Sequence, residues 1–281
     1  MSDSLPHVSI AVIGGSGLYS LFDPADSTQH SVATPYGDVS VTIGELGDRQ
    51  VAFITRHGSD HSVPPHLINY RANIWALASL GVRVILSSSA VGGIDADCPP
   101  GTLVLTDQFI DRTWGRPDTF YDRGSVQHLP AADPFDPELH VIAAQALTAA
   151  GETFVDSGTV VVIQGPRFST RAESLWFRAI GATTVNMTMY PEVPLAAELN
   201  IGTVNLSFVT DTDAGLAPAA DPENAVSHQL VLKRLLDAQP RIVAAIETIV
   251  RALPDQYSPA ELIPPAEVAA VLARGPLATA P

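Results

Sequence analysis

Cysteine is nearly absent: Cys98 stands alone in 281 residues. A lone thiol excludes an internal disulfide framework and any multi-cysteine metal site, and its simplest reading is a small buried or loop residue. Positive charge is scarce as well. Fifteen Lys and Arg against thirty Asp and Glu leave a formal charge of −15. That balance repels nucleic-acid backbones and anionic membranes, and no basic run offsets it, so neither is expected as a partner. It also repels phosphate until salt screens the field beyond about 8 Å, so any anion site must be built from local donors. Long apolar runs are missing too. None reaches the roughly 18 residues of a membrane span, and Met1 to Ser4 lack the basic-then-apolar order of a secretory signal, which makes the cytoplasm the expected compartment. No repeat at solenoid or propeller spacing is present.

What is present favours a large core. Apolar residues make up 46% of the chain and charged residues 16%, far from the composition of disorder. Short runs rich in Val, Ile and Thr at Val8 to Ile13, Val39 to Ile43, Val51 to Thr55, Val82 to Ser87, Leu103 to Leu105, Thr159 to Ile163, Thr183 to Val185 and Thr203 to Val209 predict strands. Helical spacing of apolar residues predicts helices over Tyr70 to Leu80, Pro137 to Ala150, Thr170 to Ile180 and Pro191 to Leu199. Strand and helix alternate, so the expected class is a single-domain α/β fold. Gly47-Asp48 between two early strands predicts a hairpin, hence a mixed sheet. Pro222 to Leu253 reads as a long helical region interrupted at Pro240. The domain is expected over 1–253, with the Pro- and Ala-rich 254–281 a loosely docked or disordered tail.

Several strand ends carry chemistry. Gly14-Gly15-Ser16-Gly17 after the first strand lets backbone N–H groups approach an anion, with the Ser16 hydroxyl as a further donor. It is no dinucleotide fingerprint, because Ser20 stands where G-x-G-x-x-G needs its third glycine. In Arg56-His57-Gly58, Arg56 either grips phosphate with its planar fork or forms a surface salt bridge. Ser87-Ser88-Ser89-Ala90-Val91-Gly92-Gly93 supplies small donors at a third strand end. His57, His61 and His66 match no compact ligand spacing, and Pro64-Pro65 breaks a shared helix, so no metal is expected. In Gln164 to Ser169, Phe168 either stacks on a base or folds into the core; Ser169 or Thr170, with Glu173, offers a capping box for the next helix. Asp211 and Asp213 are either a cap and a solvated neighbour or the polar partners of a purine edge.

Taken in order, these segments resemble the trimeric purine nucleoside phosphorylases, most closely their methylthioadenosine phosphorylase branch. The resemblance spans about residues 8–250. It rests on Ile13 to Gly17, Arg56 to Gly58, Asn69-Tyr70-Arg71-Ala72-Asn73-Ile74-Trp75-Ala76-Leu77, Asp107 to Thr113, Gly165-Pro166-Arg167-Phe168-Ser169-Thr170-Arg171-Ala172-Glu173 and Asn186-Met187-Thr188. It implies a twisted mixed sheet flanked by helices, no cofactor, and inorganic phosphate as co-substrate. It further implies that Ser16, Arg56, His57, Ser89, Ala90 and Thr188 surround phosphate, that Met187 lines the ribose, and that Phe168 stacks on the purine. Asp211 and Asp213 would address N6 and N7, and His128 would reach the 5′ substituent in a neighbouring subunit of a homotrimer. Methylthioadenosine is the expected nucleoside, with methylthioinosine, inosine or guanosine as the alternative; a nucleosidase or a non-catalytic nucleoside-binding protein ranks lower. Two features depart from the family: Ser16 and Ser89 replace the threonines of the animal enzymes, and Met189 is a bulky residue after Thr188.

Overall fold

Alternation of apolar residues on both sides of the backbone is the first thing the fold uses. The computed structural model describes residues 6–214 and 227–275. The first strand, β1 (Ile10–Gly14), is buried throughout. Its Ala11 and Ile13 point into one apolar cluster and its Ile10 and Val12 into another, as a strand covered on both faces requires. Around it the chain lays down β2 (Ser27–Val32), β3 (Val39–Leu46), β4 (Arg49–Thr55), α1 (Tyr70–Ser79), β5 (Val84–Gly93), β6 (Leu103–Thr106) and β7 (Gln108–Arg112). Next come α2 (Pro137–Ala149), β8 (Phe154–Val155), β9 (Thr159–Ile163), α3 (Arg171–Ala179), β10 (Thr184–Asn186), α4 (Met189–Glu198), β11 (Gly202–Thr212), α5 (His228–Ala252) and α6 (Pro265–Leu272).

The strands form one mixed sheet in the order β2-β3-β4-β1-β5-β10-β9-β7, with β11 pairing β5 and β6, and β6 pairing β8. Helices α1, α4 and α6 cover one face and α2 and α5 the other. The expected α/β class with a mixed sheet flanked by helices is borne out. At the β3–β4 hairpin, Gly47 and Asp48 both have φ of 61°, the left-handed pair that a tight two-residue turn between right-twisted strands demands. Among the described residues no helix is long and apolar enough to cross a membrane.

The structure differs from the sequence pattern at several points. Strands β2, β7 and β8 were not expected. The first two are edge strands with largely exposed or half-exposed side chains, so no apolar alternation marks them, and β8 has two residues. Strand β5 does not end at Ser87 but continues to Gly93, because β10 and β11 supply backbone partners to its polar, small-residue half. Strand β11 likewise runs past Val209 to Thr212, with a register shift between Val209 and Asp211. Residues 222–226 of the long C-terminal helical region lie outside the described residues. From His228 the helix passes through Pro240 unbroken. The carbonyl that Pro240 cannot bond belongs to Leu236, itself on the exposed side of the helix, where solvent can satisfy it.

The tail expected to be loosely docked or disordered is instead fastened as far as residue 275, and residues 276–281 lie outside the described residues. Ile263 and Val271 are buried among the residues of α1, Trp75 Nε1 donates to the Val271 carbonyl at 3.2 Å, and Arg274 donates to the Phe120 carbonyl at 2.6 Å. The apolar residues of this segment are too few to announce a core contact; their partners on α1 create it. Asn200, at a φ of 53°, holds the segment through its side chain, donating to the Ile263 carbonyl and accepting from the Leu262 and Ile263 amides at 2.8 to 3.0 Å. Asn200→Gly keeps that backbone conformation and removes all three bonds. It should cost about 1–3 kcal/mol and speed amide hydrogen exchange over residues 262–272 while leaving β1 and β5 protected. Unchanged exchange there would show that apolar burial alone holds the segment.

Candidate active site

Parallel strands deliver their C-terminal ends to one edge of the sheet, where ligand-binding groups of α/β folds gather. Strands β1, β4 and β5 are mutually parallel in register, Ile10 pairing with Val51 on one side and with Val84 on the other. The turns after β1 and β4 therefore meet the second half of β5. Strand β10 runs antiparallel to β5, Thr184 opposite Gly93 and Val185 opposite Gly92, so its end carries Asn186, Met187 and Thr188 back toward Ala90. Strand β11 lies along the other side of β5 and carries Asp211 at its end, with Asp213 just beyond it.

A cavity of about 420 Å³ opens at this junction, within the range that holds small ligands. Ser16, Arg56, His57, Ser89, Ala90, Thr188, Phe168, Met187, Asp211 and Asp213 all line it. His128 does not: it is exposed on the segment between β7 and α2. Close packing holds the floor together. A β-carbon at Gly15 would sit 2.6 Å from the Ser88 carbonyl oxygen and 3.0 Å from Arg56 Nη1, so the turn after β1 reaches β5 only because that position is glycine.

Of the two readings the sequence allowed for Arg56, the salt bridge is present, in altered form. Arg56 is 3% exposed and its salt bridge is internal, not on the surface. Nε and Nη2 donate to the two carboxylate oxygens of Glu192 at 2.6 and 2.7 Å, and Nη1 donates to the Ser88 carbonyl at 2.9 Å. An arginine carries five N–H groups; with those three spent, one hydrogen on Nη1 and one on Nη2 remain at the cavity wall. His57 Nδ1 lies 2.9 Å from the Val63 carbonyl. A carbonyl accepts, so Nδ1 bears the hydrogen and Nε2 carries the lone pair. Burial pushes the His57 imidazole down to about 4 despite that carbonyl, with the Arg56 and His61 charges adding to the fall. It is neutral at pH 7. Among the described residues no cluster suits a metal ion.

The far end of the cavity is built from carboxyl groups. Asp211 and Asp213 are 4% and 2% exposed. Asp211 accepts from the Thr210 hydroxyl at 2.7 Å, and Asp213 accepts from the Ser174 hydroxyl at the buried side of α3. Among the described residues neither caps a helix. Burial pushes Asp211 up to about 6, against the pull of the Thr210 hydroxyl and with a push from the Asp213 charge. Burial raises Asp213 as well, again opposed by its serine. Phe168, 37% exposed, faces the opening rather than the core. Its loop is clamped by Arg167, which pairs with Glu173 at 2.7 Å, while Thr170 and Glu173 complete the capping box of α3.

Sequence reasoning missed several members. Glu192 is the partner that fixes Arg56, but it lies 136 positions away and carries no local motif. Asn186 lines the cavity with a buried Nδ2 that no group among the described residues accepts from. Pro65, Val231 and Leu232 add apolar lining. Asn186 could have been found, since it heads the quoted Asn186-Met187-Thr188 segment; the others had no signal.

Glycines and hydroxyls with a buried arginine at one end, and a raised carboxyl pair beside an exposed aromatic ring at the other, define an enzyme of the nucleoside phosphorylase kind. The chain belongs to the Phosphorylase superfamily, which it matches over residues 9–251. It is 46% identical over 255 residues to the purine nucleoside phosphorylase of Streptomyces coelicolor, covering 87% of this chain and 89% of that one. It is 51% identical over 209 residues to the S-methyl-5′-thioadenosine phosphorylase of Mycolicibacterium smegmatis, covering 74% and 78%. The methylthioadenosine phosphorylase of Schistosoma mansoni, solved with adenine, superposes with a TM-score of 0.81 at 34% identity, covering 86% of this chain and 91% of that one. The family resemblance carried by the motifs is borne out.

The raised Asp211 has a consequence for stability. Ionising it costs the folded state, so the penalty is absent below its ordinary value near 3.8, grows as pH climbs toward about 6, and is constant above that. Asp211→Asn should therefore stabilise the protein by about 1–3 kcal/mol at pH 8 and leave it unchanged near pH 4, as read from urea unfolding at both values. An equal effect at the two pH values would show that Asp211 is not held neutral by its site.

Proposed function

We propose that this cavity performs phosphorolysis of a purine nucleoside, S-methyl-5′-thioadenosine in preference, yielding adenine and S-methyl-5-thioribose 1-phosphate. The observation that carries the reading is the convergence, in one cavity, of neutral and cationic anion donors with a buried carboxyl pair. Phosphate sits among Ser16, Ser89, Thr188, the backbone at Gly15 and Ala90, the outer N–H groups of Arg56, and His57. Met187 lines the sugar and Phe168 stacks on the base. No cofactor is needed, because phosphate is the co-substrate.

In the proposed step the C1′–N9 bond breaks and its electron pair leaves on the purine. The sugar becomes oxocarbenium-like, and the phosphate dianion beneath it stabilises that charge before forming the new C1′–O bond. Asp211, held protonated toward neutral pH, gives or shares its proton at N7, so the base leaves without a full negative charge. Asp213 accepts from the exocyclic amine. Water is a poor substitute for phosphate in such a floor, which is why a nucleosidase fits less well. The amine-accepting role of the carboxyl pair favours an adenine-type base. A 6-oxopurine substrate is the alternative, supported by the name of a Pyrococcus furiosus relative, a 6-oxopurine nucleoside phosphorylase 42% identical over 247 residues.

A panel of methylthioadenosine, methylthioinosine, adenosine, inosine and guanosine, followed by release of free base with and without phosphate, tests the reading. Base release that requires phosphate, fastest with methylthioadenosine, is expected; release in phosphate-free buffer would make the enzyme a nucleosidase, and no release would leave a binding protein. Asp211→Asn should lower kcat on methylthioadenosine by about 100-fold or more and improve 6-oxopurines relative to it. Retained rate and preference would remove Asp211 from the chemistry.

We further propose a homotrimer in which His128 of each copy reaches the cavity of a neighbour. In support, His128 is exposed and away from its own cavity, and the same segment exposes Trp114 and Val126 at 67% and 77%. Light scattering should give three times the chain mass, and His128→Ala should raise the KM for nucleoside without touching that for phosphate. A monomeric mass would end this part of the proposal.

A further inference from the structure

Ser89 is one of a group. On β5, Ser87 and Ser89 share a face, and in the parallel neighbour β11 Asn205 lies opposite Ser87 and Ser207 opposite Ser89. On the other side of β11, β6 places Thr106 opposite Asn205. All five side chains are buried, Thr106, Asn205 and Ser207 completely. Polar groups buried this deeply are tolerated only when hydrogen-bonded.

Their bonds have a direction that chemistry fixes. The Ser87 carbonyl lies 3.3 Å from one terminal atom of the Asn205 amide. A carbonyl accepts, so that atom is Nδ2. The same nitrogen lies 2.9 Å from Ser87 Oγ and 3.2 Å from Ser89 Oγ. Asn205 Oδ1 therefore faces Ser207 Oγ, 2.7 Å away, and the serine must donate to it. With its one hydrogen spent, Ser207 accepts from Thr106 Oγ1 at 3.1 Å. Hydrogens thus run one way through the sheet, from Thr106 to Ser207 to Asn205 to Ser89. Ser89 is approached by a donor from behind and keeps its own hydrogen for the cavity it lines.

We infer that Asn205 is a positioning residue for the anion, acting through Ser89: it orients the Ser89 hydroxyl as a donor before the ligand arrives. The inference rests on the phosphorylase reading and deepens it. A hydroxyl is a two-faced group, and one whose hydrogen points away presents lone pairs to phosphate and repels it. In a chain of charge −15, with three of the Arg56 N–H groups already committed, a donor oriented in advance binds phosphate without the cost of turning it.

The test is kinetic. Asn205→Leu removes the donor at similar volume and should raise the KM for phosphate about tenfold, the scale of one hydrogen bond to a charged group, with the KM for methylthioadenosine unchanged. Combined with Ser89→Ala, it should raise the phosphate KM no further than Ser89→Ala alone. Because a fully buried substitution can fail to fold, Ser207→Ala is the companion. It removes the donor that holds Asn205 Oδ1, so the amide is less firmly set behind Ser89, and it should raise the phosphate KM severalfold with the same lack of additivity. Folded variants with wild-type phosphate KM, or effects that multiply with that of Ser89→Ala, would overturn the inference, since a merely structural role would be additive and would move both KM values. If Ser89→Ala itself leaves the phosphate KM untouched, or the parent enzyme releases base without phosphate, the phosphorylase reading of the site falls, and the role of Asn205 falls with it.

Discussion

Arg56 is a buried cation in an acidic chain, and the site is arranged around the problem of keeping it there. Removing a guanidinium from water is costly unless its N–H groups are met by acceptors of fixed geometry. Glu192 meets two of them and the Ser88 carbonyl a third. Those three bonds tie α4 and β5 to the end of β4. Gly15 then packs against both Arg56 and Ser88, which brings the turn after β1 into the same floor. Without the Arg56–Glu192 pair, breaking of which costs about 3–5 kcal/mol in buried settings, the three strand ends would have no common anchor.

The cavity that results has two chemically opposite ends. At the floor, donors dominate: hydroxyls, backbone amides and the unspent side of the guanidinium. At the far end two carboxyl groups are so buried that both are pushed above the ordinary carboxylate range, Asp211 to about 6. A ligand with an anion at one end and a ring bearing an amine and a basic nitrogen at the other matches both without any mobile charge being supplied. That complementarity is local. The net negative charge of the surface opposes the anion at a distance and has no part in holding it.

Much of this arrangement is legible in the order of residues. Strands β1, β3, β4, β9 and β10 announce themselves because both their faces, or one of them, must be apolar to lie in a covered sheet, and that demand acts residue by residue. The glycine turn at Gly14 to Gly17, the Arg56-His57 pair and the Asn186-Met187-Thr188 segment are contiguous, so their chemistry shows in the text of the chain. Edge strands β2 and β7 stay hidden because one of their sides faces solvent and selects no pattern. The continuation of β5 through Ser88 to Gly93 stays hidden for another reason: small polar residues form a strand there only because β10 and β11 lie alongside.

The sequence by itself determined the α/β class, the family, and the ten residues from Ser16 to Asp213 that surround the cavity, because each depends on local pattern or on contiguous motifs. Tertiary structure alone decided that Glu192 holds Arg56, that Asn205 stands behind Ser89, that Ile263 and α6 dock on α1, and that burial pushes Asp211 upward. Each of these is a relation between residues far apart in the chain, created by which strands become neighbours and how much water they exclude. Pairing and desolvation are properties of the packed molecule, and no single stretch of residues contains them.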